Sequence, residues 1–136
     1  MRVVVVALLL LTATATGGRA AAPWDALAGA AGLYEGWAAS GGTLVPVETR
    51  LEAAPDGTLS GSYRFEQDGR VFQGTLGHGR ATGPLDLVFI WHDDWGWGVI
   101  TLHFSADFEH FVAAWGPLDD SHEAFPWVGV RAPAPD

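Results

Sequence analysis

The sequence predicts an all-β protein, an antiparallel up-and-down meander barrel of about eight strands that follows an N-terminal signal peptide. Three observations predict it. Turn signals separate short strand-like runs from Leu33 onward, polar and apolar residues alternate along those runs, and one hairpin pattern occurs twice. In the pairing that follows, glycines fall opposite large aromatic side chains, which is typical of a curved sheet that closes on itself.

The first 20 residues have the three parts of a secretion signal. Met1 and Arg2 begin it, residues 3–11 are entirely apolar, and residues 12–20 are mostly small. The apolar stretch is much shorter than the roughly 20 residues that a membrane-spanning helix needs. We therefore expect cleavage after Ala20, a secreted or periplasmic protein, and no membrane span after processing.

The rest of the chain divides into three segments. Residues 21–32 are rich in alanine and predict a linker or one short helix. Residues 33–131 form the predicted barrel domain, and residues 132–136 contain two prolines and predict a frayed tail.

The composition excludes several classes of function. The 136-residue chain has no cysteine, which rules out disulfides and a thiol nucleophile, and all seven basic residues are arginine, which rules out a lysine Schiff base. Removal of residues 1–20 leaves five arginines against 16 acidic residues, a net charge of −11. This charge argues against nucleic acid and anionic membranes as partners and is compatible with cations or neutral ligands such as sugars. No cofactor is predicted.

The repeated hairpin fixes the expected strand register. Five residues recur 39 positions later: Phe65, Asp68, Phe72, Leu76 and Gly77 become Phe104, Asp107, Phe111, Trp115 and Gly116. Each copy predicts a tight turn with an aspartate at its tip. The expected cross-strand pairs are Phe65 with Phe72, Tyr63 with Gly74, Phe104 with Phe111, Leu102 with Ala113, and Ile100 with Trp115.

Alternation then separates an inner face from an outer face, because an even-length hairpin loop keeps the same residues on one side. The predicted inner face is Trp37, Val45, Val47, Leu51, Leu59, Tyr63, Phe65, Phe72, Leu76, Leu85, Leu87, Phe89, Trp91, Ile100, Leu102, Phe104, Phe111 and Trp115. The predicted outer face of strands two to four is Glu48, Arg50, Glu52, Ser60, Ser62, Arg64, Glu66 and Gln73. Gly74 is expected between Tyr63 and Phe89, and Gly98 opposite Phe89. The aromatic content predicts a filled interior with room for at most a small pocket near one mouth.

Three short motifs carry a family resemblance. They are Gly36-Trp37, the run Asp-Gly-Thr-Leu-Ser-Gly-Ser-Tyr at 56–63, and Phe-x-x-x-Trp-Gly at 111–116. With them the chain resembles small exported bacterial barrels of no assigned function, and its second motif is similar to the second hairpin of avidin-like barrels. The avidin pattern has an asparagine where this chain has Ala39 and a serine where it has Phe65. The resemblance therefore implies the meander architecture and not biotin binding.

The segment at 91–97 is the first candidate for a ligand surface. Trp91 is expected to point inward, Trp95 to lie in a turn and Trp97 to point outward, with Asp93 and Asp94 beside them. Exposed indoles for stacking and carboxylates for hydroxyl groups suit a sugar-binding surface, although tryptophans at a barrel corner can also be purely structural. As an enzyme, the aspartate pair would need the opposed separation of about 5–9 Å that glycosidases use.

Histidines and carboxylates give two further candidates. His92, His103 and Asp86 are expected on the outer face, with Asp86 opposite His103, so a weak surface metal site is conceivable; the alternative is a polar row on a solvated sheet. Glu35 and His78 are placed inward by the same alternation, unless Tyr34 is the inward residue of the first strand. A buried pair of that kind would be a candidate site because burial shifts both pKa values.

The outer face of strands five to seven is apolar, unlike that of strands two to four. It carries Val88, Ile90, Trp97, Val99, Val112 and Ala114. A patch of this kind indicates a covering element or a partner. The cover is expected to be residues 23–31, with Trp24 and Leu27 folding back, or a second copy of the chain or another protein.

The sequence thus favours an exported, non-catalytic barrel module that binds a partner or a small ligand. The residues expected to carry binding are Ile90, Asp93, Asp94, Trp95, Trp97 and Val99. Two alternatives stay open: a small metal-dependent or carboxylate-based hydrolase, and a purely structural envelope protein.

Overall fold

A computed structural model describes residues 23–118 and 122–133, so the predicted signal peptide and the last three residues of the predicted tail lie outside it. A 3₁₀ helix is followed by eight strands: the helix Asp25–Ala30, β1 Gly32–Ser40, β2 Thr43–Ala53, β3 Leu59–Gln67, β4 Arg70–Gly83, β5 Asp86–Asp93, β6 Gly96–Phe104, β7 His110–Pro117 and β8 Phe125–Arg131. Each strand pairs antiparallel with the next, and β8 pairs with β1 to close the barrel. The predicted fold class is confirmed. Within the described residues no helix is both long and apolar enough to cross a membrane.

The first copy of the repeated hairpin has the predicted register. Asp68 and Gly69 form a two-residue turn at φ values of 53° and 74°, which suits the right-handed twist of the two strands. Phe65 consequently pairs with Phe72, and Tyr63 pairs with Gly74.

The second copy reaches the same register with a longer loop. The backbone N–H of Ser105 bonds the carbonyl of His110 at 2.9 Å, which leaves four residues in the loop. Asp107 organises it by accepting bonds from the Ser105 hydroxyl and the Glu109 N–H. Because the loop still has an even length, the same residues face inward, and the predicted pairs of β6 and β7 are confirmed.

The first strand has the opposite register to the one predicted. Trp37 points outward and is 40% exposed, whereas Tyr34 is fully buried. The turn between β1 and β2 consists of Gly41 and Gly42 alone, both at positive φ, so the even-numbered residues of β1 face the odd-numbered inward residues of β2. Glu35 is accordingly exposed.

A bulge in β4 removes the second member of the predicted inward pair. His78 has a φ of 50° and is exposed, because His78 and Gly79 together occupy the register step between the pairs Gly77–Ile90 and Arg80–Val88. The buried glutamate–histidine pair predicted from the sequence is therefore wrong.

Two glycines lie opposite other side chains than predicted. Strand β4 runs on past the bulge to Gly83. In consequence Leu76 pairs with Trp91, which brings Gly74 between Tyr63 and Asp93 and not beside Phe89. Gly98 pairs with Trp91 and not with Phe89.

The interior of the barrel is an almost continuous apolar core. Its buried residues from the strands are Tyr34, Ala38, Val45, Val47, Leu51, Leu59, Tyr63, Phe65, Leu76, Leu87, Phe89, Trp91, Ile100, Leu102, Phe104, Phe111 and Trp127. Phe72, Leu85 and Trp115 are partly buried against it. All eight residues predicted for the outer face of strands two to four are exposed.

The 3₁₀ helix closes one end of this core. Leu27 and Ala30 are fully buried within it, and Trp24 packs against it near Gly79. Residues 23–31 therefore plug the barrel. The first of the covers predicted for the outer face of β5 to β7, these same residues, is wrong. The prediction failed because Leu27 gains more burial at the open end of a barrel than on a flat sheet face.

A polar cluster holds this plug in place. The Arg131 guanidinium donates to the carbonyl oxygens of Gly29 at 2.6 Å and Ala31 at 2.9 Å, to that of Phe108 at 3.2 Å, and to the Tyr34 hydroxyl at 2.9 Å. The Tyr34 hydroxyl lies 2.8 Å from the carbonyl oxygen of Ala30, to which it donates. One arginine and one tyrosine thus satisfy helix and loop carbonyls that the barrel end would otherwise leave unpaired.

Replacement of Tyr34 by phenylalanine should reduce the free energy of unfolding by about 1–3 kcal/mol, because the buried carbonyl of Ala30 loses its donor while the ring packing is kept. Urea denaturation followed by tryptophan fluorescence measures this change. The control is Arg80→Ala on the outer face, where a change within about 0.5 kcal/mol is expected. Equal effects from the two variants would show that the cluster does not stabilise the plug.

Candidate functional site

Among the described residues, no segment closes the end of the barrel opposite the 3₁₀ helix. A cavity of about 90 Å³ lies there, between the ends of β1, β2, β3, β5, β7 and β8. We call it the mouth pocket. It is lined by Ala38, Ala39, Ser40, Val45, Val47, Tyr63, Phe65, Trp91, Asp93, Trp95, Trp115 and Trp127. Its small volume agrees with the expectation of a filled barrel with a small pocket near one mouth.

The rings of the mouth pocket are held by edge-to-face contacts. Trp91 and Trp115 lie 5.4 Å apart between ring centroids at 88°, and Tyr63 and Trp127 lie 5.0 Å apart at 80°. Aromatic pairs prefer such geometry, which places the positive edge of one ring on the negative face of the next. The walls of the pocket are therefore rigid before any ligand enters.

Hydrogen bonds fix the three interior tryptophans further. Each indole N–H donates to an acceptor of the protein: Trp91 to the Gly116 carbonyl at 3.1 Å, Trp115 to the Ala39 carbonyl at 3.2 Å, and Trp127 to the Thr49 hydroxyl at 3.0 Å. Because these donors are occupied, the three indoles contribute apolar ring surface to the pocket and no free N–H group.

One carboxylate projects into this apolar surface. Asp93, the last residue of β5, accepts the Tyr63 hydroxyl on Oδ2 at 2.6 Å and the backbone N–H of Trp95 on Oδ1 at 2.8 Å. Burial raises the pKa of the Tyr63 hydroxyl well above its usual value, and the hydrogen bond to the Asp93 carboxylate raises it further.

A glycine makes the contact between Tyr63 and Asp93 possible. Gly74 lies on the strand between them, and a Cβ at that position would overlap the distal ring atoms and the hydroxyl of Tyr63. The tyrosine ring therefore lies across β4 and reaches the carboxylate on β5. The large-against-small pairing predicted from the sequence positions the polar group of the pocket.

Trp95 stands at the rim of the mouth pocket. It is 70% exposed, and its ring centroid lies 5.5 Å from that of Phe72, which stacks on Phe65 at 5.1 Å. The indole therefore rests on an aromatic stack at one side of the opening and has most of its surface available to a ligand.

The structure separates the predicted binding residues into two groups. Asp93 and Trp95 line the mouth pocket, whereas Asp94 is exposed on the turn beside it. Trp97, Ile90 and Val99 lie on the outer face of β5 and β6. The two groups are not one site.

Sequence reasoning missed most of the pocket wall. The alternation correctly placed four of its aromatic side chains inward, but predicted that they fill the core: Tyr63, Phe65, Trp91 and Trp115. Trp127 was not placed at all, although the alternation of Phe125, Trp127 and Gly129 along β8 carries the signal.

The apolar outer face is uncovered in the described part of the chain. Trp97 is 51% exposed and Val112 is 58% exposed, and Val130 of β8 extends the face. Its contact with a second copy of the chain or another protein stays a prediction.

The predicted metal-ligating residues do not converge. Asp86 lies opposite His103 as expected, and its carboxylate is 2.7 Å from Nδ1 of the imidazole. His92 lies six residues beyond Asp86 on β5, where it pairs with Trp97 of β6. At the rise of a strand, this separation is roughly 20 Å. In residues 23–118 and 122–133 no three histidine or carboxylate side chains are grouped as metal ligands. An exposed pair such as Asp86 with His103 contributes about 0–1 kcal/mol to stability.

A larger groove of about 480 Å³ runs along the outer surface of β2 to β5. Its walls carry charges of both signs, among them Glu48, Arg50, Arg64 and Asp94. Of the two, the mouth pocket has the smaller polar share in its lining, so it is the stronger candidate site for a small organic ligand.

No family model matches this chain, and no curated protein or solved structure is significantly similar to it. The class to which the fold assigns it is that of closed, eight-stranded antiparallel up-and-down barrels, here with a 3₁₀ helix that plugs one end.

Replacement of Gly74 by alanine should lower the free energy of unfolding by about 1–3 kcal/mol, because the new Cβ displaces the Tyr63 ring and breaks its bond to Asp93. The matched control is Gly77→Ala on the same strand, where a Cβ meets nothing within 4 Å. It should leave stability unchanged or slightly raised. Denaturant titration of both variants measures the difference, and similar values would contradict the assigned role of Gly74.

The two tyrosines should make the protein less stable above a pH of about 10. Burial raises the pKa of both Tyr34 and Tyr63, so the unfolded chain releases these protons first and unfolding becomes easier as the pH rises. The chain has no lysine, so these residues dominate the alkaline titration. In Tyr63→Phe the slope of unfolding free energy against pH should fall by about half or more, because the pKa of Tyr63 is raised strongly and that of Tyr34 is raised against the opposing effect of Arg131. Urea denaturation at several alkaline pH values tests this, and an unchanged slope would contradict it.

Proposed function

We propose that this protein is an exported, non-catalytic binding module that holds a small organic ligand in the mouth pocket. The observation that carries the proposal is the difference between the two barrel ends. Within the described residues, the chain closes one end with its own helix, whereas the other end is an aromatic pocket whose described lining includes one carboxylate. Eight-stranded barrels either fill their interior with side chains or hold one small ligand, and an open aromatic mouth favours the second use.

Preorganisation supports binding at this site. The tryptophan rings are fixed by edge-to-face contacts and by their N–H bonds, so a ligand would immobilise few side chains on entering. The cost of ordering side chains is one of the main terms that oppose association. A rigid, mainly apolar cavity with one placed polar group is the usual form of a small-molecule site.

The arrangement of carboxylates favours binding over hydrolysis. Of the two aspartates proposed as a catalytic pair, only Asp93 lines the pocket, and both its oxygens accept hydrogen bonds from the protein. Glycoside hydrolysis needs two carboxyl groups on opposite sides of the bond that is cleaved. The hydroxyl of Ser40, the other polar lining group from a strand, donates to Gln67 at 2.8 Å and is not paired with a base.

The location in this proposal comes from the predicted signal at residues 1–20. A domain with no cysteine is equally suited to oxidising and reducing compartments, so the proposed export depends on that segment alone.

A variant that fills the pocket tests this proposal. Ala38 is buried in the pocket wall, and Ala38→Leu would occupy the cavity without changing its charge. Ligand-observed NMR against a library of small organic molecules should give hits on the parent protein that disappear in this variant. The matched control is Ala114→Leu, an exposed position on the outer face, which should keep every hit.

The far-ultraviolet circular dichroism of both variants should match the parent, which excludes unfolding as the cause. Hits that bind all three proteins equally, or an absence of hits on the parent protein, would overturn the proposal.

A further inference from the structure

We infer that the mouth pocket selects a small organic cation, an ammonium group that carries methyl or methylene substituents. The inference rests on the proposed function of this pocket and names the chemistry of its ligand. It follows from the polar groups, the rings, the charge and the volume of the pocket taken together.

The polar groups of the pocket favour a ligand that carries positive charge or donates hydrogen bonds. The N–H groups of the three interior indoles and the hydroxyls of Tyr63 and Ser40 are already donated to protein acceptors. Asp93 keeps free acceptor sites, because a carboxylate has about four lone-pair positions and two are used here.

The rings favour a cation over a neutral apolar group. Tryptophan has the strongest attraction of the aromatic side chains for a cation placed over its face, and the contact strengthens when water is excluded. Four tryptophans line the pocket, three of them from inside the barrel: Trp91, Trp115 and Trp127, with Trp95 at the rim. Aromatic walls with a nearby carboxylate are the arrangement that recognises alkylated ammonium groups.

The charges around the pocket also favour a positively charged ligand. None of the described residues that line the pocket is basic. Arg70 is close to the rim, but its guanidinium lies 5.4 Å from the centroid of Phe72, a ring outside the lining. The whole chain carries a formal charge of −9, which attracts cations toward the mouth and repels anions.

The volume excludes larger ligand groups. A cavity that holds benzene measures about 150 Å³, whereas the mouth pocket measures about 90 Å³. Benzene has six heavy atoms, so a cavity of the smaller volume holds roughly four in the same proportion. Four heavy atoms are the size of a trimethylammonium group. A pyranose ring with its hydroxyls is larger than benzene, so a sugar would only cover the opening.

The test compares two ligands of the same shape. Choline and its neutral isostere 3,3-dimethyl-1-butanol differ in the charge of one central atom, and tryptophan fluorescence or calorimetry measures their dissociation constants. We expect choline to bind about tenfold or more tightly, which corresponds to the stabilisation that a desolvated cation–π contact gives. Equal affinities would overturn the selectivity for cations and leave the proposed binding site intact.

A pair of adjacent variants separates charge from structure. Asp93→Asn should remove most of the preference for choline and keep the weaker affinity for the isostere. Asp94→Asn, on the exposed turn one residue away, should keep the preference within about twofold at low salt, as expected for an exposed charge. If Asp93→Asn does not fold, the comparison of the two ligands on the parent protein still tests whether the pocket prefers a cation.

Two further outcomes distinguish the two proposals. Binding of library molecules lost in Ala38→Leu, without any binding of choline, would overturn the cation class and support the pocket. Choline binding that persists in Ala38→Leu would place the cation elsewhere and overturn this inference.

Discussion

The closure of the barrel depends on the seam between its first and last strands. Tyr34 of β1 and Arg131 of β8 are direct partners across this seam, and their side chains meet at the plugged end. The arginine connects the seam to the 3₁₀ helix and to the loop between β6 and β7 through carbonyl oxygens. One cation thus joins the helix and the adjacent strand β1 to two distant segments, β8 and the loop between β6 and β7, and the pairing of β1 with β8 helps to fix the helix over the core.

The seam also explains why the two barrel ends differ. At the plugged end, the polar cluster satisfies backbone carbonyls and lets Leu27 and Ala30 enter the core. At the open end, indole N–H groups bond carbonyl and hydroxyl oxygens at the mouth, and the rings cover the remaining core surface. Both ends pair their buried polar groups, but among residues 23–118 and 122–133 only the first end has a segment that covers its apolar groups. The second leaves aromatic surface in contact with solvent, which is costly unless a ligand uses it.

The local sequence was sufficient to predict most strand pairs. Asp68-Gly69 fixes its hairpin by backbone geometry, and the four-residue loop at Asp107 keeps the same parity because its length is even. The prediction failed at two places. The turn after β1 contains only two glycines, and this even length places Tyr34 and not Trp37 on the inner face. The bulge at His78 shifts the register of β4 against β5, and whether a strand forms such a bulge depends on its contacts with other strands.

The sequence by itself determined the class of fold, the apolar interior and the charged outer face of β2 to β4. These features follow from the residues that form the turns and from the alternation of polar and apolar residues along each strand. It also marked Asp93 and Trp95 as candidates for binding. Only the tertiary structure decided which aromatic residues fill the core and which line a pocket. That distinction depends on the end of the barrel at which each ring lies, and hence on where the helix closes it. Alternation along a strand gives the side of the sheet on which a residue lies, but not its depth within the barrel.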